Sequence, residues 1–167
     1  MDLYLIRHAK AAPRSPELED ALRPLTPEGK RAFAIAVEGM ARLGLTFDRL
    51  YHSPWLRAVE TAELLIPLVH GETVSTMHLA DDPSSALLRE LSGQRVALVG
   101  HEPWTSELVG WLIHGDRAAG DGFCIKKGGM VWLEGKPAPG QMVLRAFLPP
   151  KVLRALSRPG NDDDNTE

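Results

Sequence analysis

The side chains best suited to chemistry lie in three short stretches far apart in the chain. These are Arg7-His8, Arg57 within Ser53-Pro54-Trp55-Leu56-Arg57-Ala58, and His101 within Gly100-His101-Glu102-Pro103. Two arginines and two histidines brought together form the set that a phosphoryl group requires. Guanidinium groups offer planar, paired donors to phosphate oxygens and stabilise the charge that spreads over them during transfer. A neutral imidazole can attack phosphorus and carry the phosphate briefly. A second imidazole, protonated, can donate to a phosphate oxygen. Arginines beside His8 disfavour its protonated form and keep it nucleophilic near neutral pH.

Each stretch taken alone admits a plainer reading. Arg7-His8 is also what an exposed basic pair at a strand end looks like. Arg57 falls in the first turn or so of a helix if Ser53 caps it, and a cation there opposes the helix dipole. An anion bound at the same helix end would account for that placement. An ion pair with Glu60 or Glu63 on the same helix would account for it equally. His101 could simply cap the turn between a strand and a helix. The case rests on the three stretches meeting.

Other chemistries fit less well. The six histidines show no zinc-type spacing, and arginines beside them would repel a cation. No Gly-x-x-x-x-Gly-Lys-Ser/Thr loop is present, which removes a P-loop ATPase. Cys124 is the single cysteine, so no internal disulfide can form, and a reducing compartment fits. With no histidine near it in sequence, Cys124 reads as a small buried or half-buried residue.

The elements that would position the three stretches can be read from local signals. Leu3–Ile6 is a short apolar run expected to be a buried strand. Arg14–Leu25, polar and proline-punctuated, reads as a loop. Thr26-Pro27 opens a helix as cap and first residue, with Phe33, Val37 and Met40 on its buried face and Gly44 ending it. Asp48–His52 is a second strand. Ser53-Pro54 starts a helix running to about Val69. Thr73–Leu79 is expected as a strand, Ser84–Leu91 as a short helix and Arg95–Val99 as a strand. A helix from Glu102-Pro103 to about His114 follows. Met130–Leu133 and Met142–Leu148 read as strands joined through the turn at 137–140, and Pro150–Leu156 as a last helix.

Strands and helices alternating in this way predict an α/β fold, with a mainly parallel sheet between two helical layers. In such sheets ligands bind beyond the carboxyl ends of the strands. Arg7-His8, His52-Ser53 and Gly100-His101 follow three strands directly, so the topology sends them to one edge.

Composition sets the remaining bounds. The 167 residues suffice for one domain with a real core; 44% are hydrophobic and 25% charged. A net charge of −3 gives no reason to expect nucleic acid or an anionic membrane as a partner. The apolar start is too short for a signal peptide, and no stretch approaches the roughly 18 apolar residues of a membrane span. The expected location is therefore the cytoplasm. Residues 1–158 are read as the domain and residues 159–167 as an acidic, disordered tail.

With these residues in view, the sequence resembles the histidine phosphatase superfamily, the phosphoglycerate mutase-like fold. Leu5-Ile6-Arg7-His8-Ala9 is similar to its Arg-His-Gly signature, with Ala9 in place of the usual glycine. Ser53-Pro54-Trp55-Leu56-Arg57-Ala58-Val59-Glu60-Thr61 and Gly100-His101-Glu102-Pro103 resemble its second and third signatures. Arg23-Pro24-Leu25-Thr26-x-x-Gly29 narrows the likeness to the short, SixA-like phosphohistidine phosphatases. The resemblance implies a three-layer α/β/α sandwich. His8 would be the nucleophile that becomes phosphorylated, and Arg7, Arg57 and His101 would hold the phosphate. Ser53 would join them or only cap its helix. No metal or cofactor is implied.

The larger members of that superfamily carry a glutamate as general acid between the second arginine and the second histidine. Here Asp81 and Asp82 are the acids available in that stretch, either as proton donors or as loop residues before a helix. Imidazole leaves far more readily than an alkoxide, so a site without a strong acid can still cleave the P–N bond of phosphohistidine. A phosphohistidine-bearing protein is thus the expected substrate, with a small phosphate ester or non-catalytic binding of a phosphoprotein as alternatives. A monomer is favoured. Lys126 and Lys127, in a glycine-flanked loop, would attract an anionic partner or simply be solvated.

Overall fold

A computed structural model describes residues 1–158; the tail expected at 159–167 lies outside the described residues. The chain runs β1 (Asp2–Arg7), α1 (Pro27–Arg42), β2 (Phe47–His52), α2 (Leu56–Leu65), β3 (Val69–Ser75), α3 (Ser85–Glu90) and β4 (Arg95–Gly100). It continues through α4 (Trp104–His114), β5 (Met130–Gly135), β6 (Met142–Leu148) and α5 (Pro150–Leu156).

The six strands form one sheet in the order β3-β2-β4-β1-β5-β6. β3, β2, β4 and β1 are mutually parallel, and the β5-β6 hairpin adds antiparallel to β1. Alternation along the central strands splits the core in two. Tyr4, Ile6, Ala97 and Val99 face α1, α2 and α5, where Phe33, Val37, Met40, Ala62 and Leu153 pack. Leu3, Leu5, Val96 and Leu98 face the other way, against Leu87 of α3 and Leu108, Val109 and Leu112 of α4. The expected three-layer sandwich is the result.

Most elements fall where local signals place them. Thr26 caps α1 by accepting the Gly29 N–H at 2.9 Å, and Gly44, at φ +72°, follows its end. Four expectations need correction. α2 begins at Leu56 with Trp55 as its cap, so Ser53 is not the cap. The helix also stops at Leu65, because Pro67 holds the chain in a 3-10 turn at Ile66–Leu68. β3 therefore starts at Val69, not Thr73, and Met77–Leu79 is a 3-10 turn rather than strand. β3 is an edge strand bonded only to β2 and mostly exposed, so no apolar alternation marks it.

The register of the central strands sets the functional edge. Arg7 lies opposite Gly100, and His52 opposite Val99. The ladder continues one step past the strands, with His8 N–H donating to Gly100 O and Ser53 N–H to Val99 O, each at 3.0 Å. His8, Ser53 and His101 therefore leave three adjacent strand ends side by side.

Candidate active site

His8 is 5% exposed, Arg57 3% and His101 2%. The His8 and His101 rings lie 5.1 Å apart between centroids. His8 Nδ1 sits 2.7 Å from Ala9 O, and that carbonyl can only accept, so the proton belongs on Nδ1. Nε2 then carries the lone pair, and Arg57 Nε–H donates to it at 3.2 Å. The ring is thus held in the tautomer a nucleophile needs. Ala9 has no positive φ, so the methyl that replaces the familiar glycine hydrogen causes no backbone strain. Its N–H donates to Thr61 Oγ1, which in turn donates to Arg57 O, tying α2 to the end of β1.

Arg57 does not pair with Glu60 or Glu63. Glu60 instead accepts from Leu25 N–H and Lys30, each at 2.5 Å. The partner of Arg57 is Asp20, in a 3-10 turn of the loop expected at 14–25: Nη1 donates to its carbonyl at 2.5 Å and Nη2 to Oδ2 at 3.0 Å. Asp20 Oδ1 accepts from Arg23 Nε at 2.8 Å and Arg14 Nε at 2.9 Å. Burial alone would raise the Asp20 pKa, but these arginines lower it to about 2. Arg7 donates through Nη1 to Ile125 O at 2.7 Å, and its buried Nε has no hydrogen-bond partner among the described residues.

Ser53 faces both the start of α2 and the His101 ring. Its Oγ accepts the Trp55 N–H at 3.2 Å and sits 2.8 Å from His101 Nε2. A serine hydroxyl can give its proton to Nε2 or accept one from it; where it gives, the His101 proton sits on Nδ1, which is buried with no hydrogen-bond partner among the described residues. Trp55 packs beside the same ring at 4.6 Å and stacks under the Arg57 guanidinium, also at 4.6 Å.

Both imidazoles are neutral. Burial, then Arg57, Arg7 and Lys127, push His8 down to about 3, against the pull of its hydrogen bond to Ala9 O. The arginines act in the expected direction, but desolvation is the larger cause. Burial, His8 and Arg57 push His101 down to about 2. Burial thus opposes the imidazolium expected at His101.

These groups surround a cavity of about 310 Å³ lined by Arg7, His8, Arg23, Arg57, His101 and Lys127, among others. A second cavity of about 730 Å³ adjoins it at Arg7 and Lys127 and has Lys126, Arg154 and Phe33 in its wall. Lys127 thus lines both cavities, and Lys126 only the larger one. Cys124, expected buried or half-buried, is exposed and lines the larger cavity, next to the buried Ile125. Asp81 and Asp82 are both exposed, and neither lines the cavity around His8. Asp81 accepts the Asp82 N–H at 2.8 Å, and Ser84, not Asp82, caps α3.

Sequence reasoning did not find Asp20, and it used Arg23 only as part of a motif. Asp20 lies in a loop with no apolar period, and a lone aspartate there carries no mark of its partner. Arg23, 8% exposed, lines the cavity with Arg7, Arg14 and Arg57.

Fold and site together define an α/β domain with a mostly parallel sheet and a cationic, histidine-bearing pocket at its carboxyl edge. Residues 3–81 match the family model described as "Histidine phosphatase superfamily (branch 1)". The chain belongs to that superfamily and is a hydrolase of its phosphatase class. An uncharacterized protein from Picosynechococcus sp. is 33% identical over 141 residues, covering 80% of this chain and 84% of that one. The fold is shared with the protein histidine phosphatase SixA solved with tungstate, at TM-score 0.74 and 20% identity over 92% of this chain and 99% of the other. It is also shared with a candidate phosphohistidine phosphatase SixA from Agrobacterium tumefaciens, at TM-score 0.72 and 24% identity, over 88% and 96%. A phosphoserine phosphatase from Entamoeba histolytica has the same fold at TM-score 0.68 and 17% identity, over 91% and 98%.

Proposed function

We propose that the chain hydrolyses phosphohistidine on proteins through a phosphorylated His8, using a catalytic domain that spans residues 1–158. The observation that carries this reading is the His8 ring itself: buried, neutral, with its proton on Nδ1 and its Nε2 lone pair directed into a pocket of arginines. Nε2 attacks phosphorus while Arg7, Arg23, Arg57 and the His101 Nδ1–H hold the phosphate oxygens. Asp20 fixes the angle of Arg57, and Ser53 fixes the tautomer of His101. Water then attacks the phosphorylated His8, and orthophosphate leaves. Arginines that match the spreading charge better than the ground state supply the acceleration.

Two features favour a protein substrate. The chain between α2 and His101 is spent on β3, a 3-10 turn, the short α3 and β4, so no large insertion closes over the pocket. The SixA proteins that share the fold are described as phosphohistidine phosphatases, one of them a candidate. The adjoining 730 Å³ cavity favours a second reading, a small-molecule phosphomonoesterase, because its size suits the body of a compact ligand. Turnover of a phosphohistidine-bearing protein and of p-nitrophenyl phosphate, measured side by side with His8→Ala as control, separates the two. Preference for phosphohistidine, lost in the variant, is the expected result. Preference for the ester would transfer the function to small phosphates.

A further inference from the structure

One carboxyl group at the pocket has no part in the steps above. Glu102 follows His101 directly and lines the same cavity as Arg7, His8 and Arg57. Its Oε1 is buried and has no hydrogen-bond partner among the described residues. An ionised carboxylate with an unsatisfied buried oxygen is costly, whereas the protonated acid carries no charge to desolvate. Burial accordingly raises the Glu102 pKa, although Ser106 and Arg7 favour the charged form. Asp81 and Asp82, the acids suggested by sequence, remain in solvent outside this cavity.

We propose that Glu102 is the proton donor to the leaving group, which rests on the reading of His8 as nucleophile. His8 Nε2 forms the N–P bond as the bond from phosphorus to the leaving oxygen or nitrogen breaks. The departing electron pair takes the Glu102 carboxyl proton, leaving a carboxylate. In the second step a water oxygen bonds to phosphorus, and the N–P bond returns its pair to His8. The carboxylate recovers a proton from that water. A donor of this kind extends the site from phosphohistidine, whose imidazole leaves easily, to esters with poorer leaving groups.

A series of phosphate monoesters running from 2,4-dinitrophenyl phosphate to an alkyl phosphate tests this with the full chain and Glu102→Gln. An acid contributes most where the leaving group is poorest, so kcat/KM for the alkyl ester should fall by about 10²-fold or more in the variant. The dinitrophenyl ester needs no protonation; its kcat/KM should change by less than about threefold, which also shows that the variant is folded. A loss of equal size across the series overturns the proposal. So does an unchanged rate on poor leaving groups, or a wild-type rate as sensitive to the leaving group as the variant's. His8→Ala is run in parallel: turnover surviving in it refutes the nucleophile, whereas turnover lost in it with no leaving-group effect in Glu102→Gln refutes the donor alone.

Discussion

Replacing Asp20 by asparagine separates two effects that act on Arg57 in opposite directions. The carboxylate accepts from Arg57 Nη2 at 3.0 Å and from Arg23 Nε at 2.8 Å, and an amide offers only one oxygen to the pair. A hydrogen bond to a charged group contributes about 1.5–3 kcal/mol. The Asp20 side chain is 33% exposed, which places the loss at the lower end, about 1.5–2 kcal/mol. That corresponds to roughly a ten- to thirtyfold fall in kcat. A larger fall is not expected, because the Asp20 carbonyl still holds Arg57 Nη1 at 2.5 Å. The opposing effect is electrostatic. Removing a negative charge beside an anion site favours phosphate, in the ground state and the transition state alike, so it acts on binding rather than on kcat. Asp20→Asn is thus expected to lower kcat on p-nitrophenyl phosphate while inhibition by orthophosphate stays equal or tightens. An unchanged kcat with weakened phosphate inhibition would refute the idea that Asp20 aligns Arg57.

Three further outcomes follow from the geometry. His8 and His101 have folded pKa values of about 3 and about 2, below the ordinary 6.5, so the unfolded chain binds more protons between those values. Their contribution to stability is complete above about pH 6.5 and is lost as pH falls towards 3; thermal melts across that range should show the decline, and a flatter curve in His8→Ala. A His8 ring that titrates near 6.5 by NMR would contradict it. Ser53→Ala removes the contact that sets the His101 tautomer and should lower kcat by about tenfold, one hydrogen bond to a ring that must donate; wild-type kinetics would remove Ser53 from the site. Gly29→Ala places a Cβ 2.1 Å from Lys10 O, behind the nucleophile segment, and should cost about 1–3 kcal/mol, a Tm lower by roughly 3–10 °C in calorimetry.

The parts of this site written in local sequence were legible, and those written in contacts were not. Arg7-His8 and Gly100-His101 follow compact apolar runs, so their placement at neighbouring strand ends followed from α/β topology. Arg57 stood out because a cation early in a helix needs a reason. That reason includes Asp20, 37 positions away on an irregular loop, which no periodicity could bring to Arg57. Ser53 carried the residue type of a helix cap, and only the structure shows its hydroxyl beside His101 instead. The edge strand β3 was misplaced because its side chains are solvated on both faces and leave no apolar alternation to read. The charge state of His101 depended on burial, which chain-distant packing determines. Glu102 was visible only as the residue after a histidine, since its unpartnered oxygen is a property of the folded pocket.

On the proposed mechanism His8 carries the phosphoryl group during turnover. Rapid quench of the working enzyme, followed by peptide mapping under alkaline conditions that preserve phosphohistidine, tests it directly. One phosphoryl group is expected on the peptide containing His8, attached to its imidazole, labile in acid and absent from His8→Ala. A phosphoryl group on a different side chain, or single-turnover hydrolysis with no phosphorylated enzyme at any time, would contradict it.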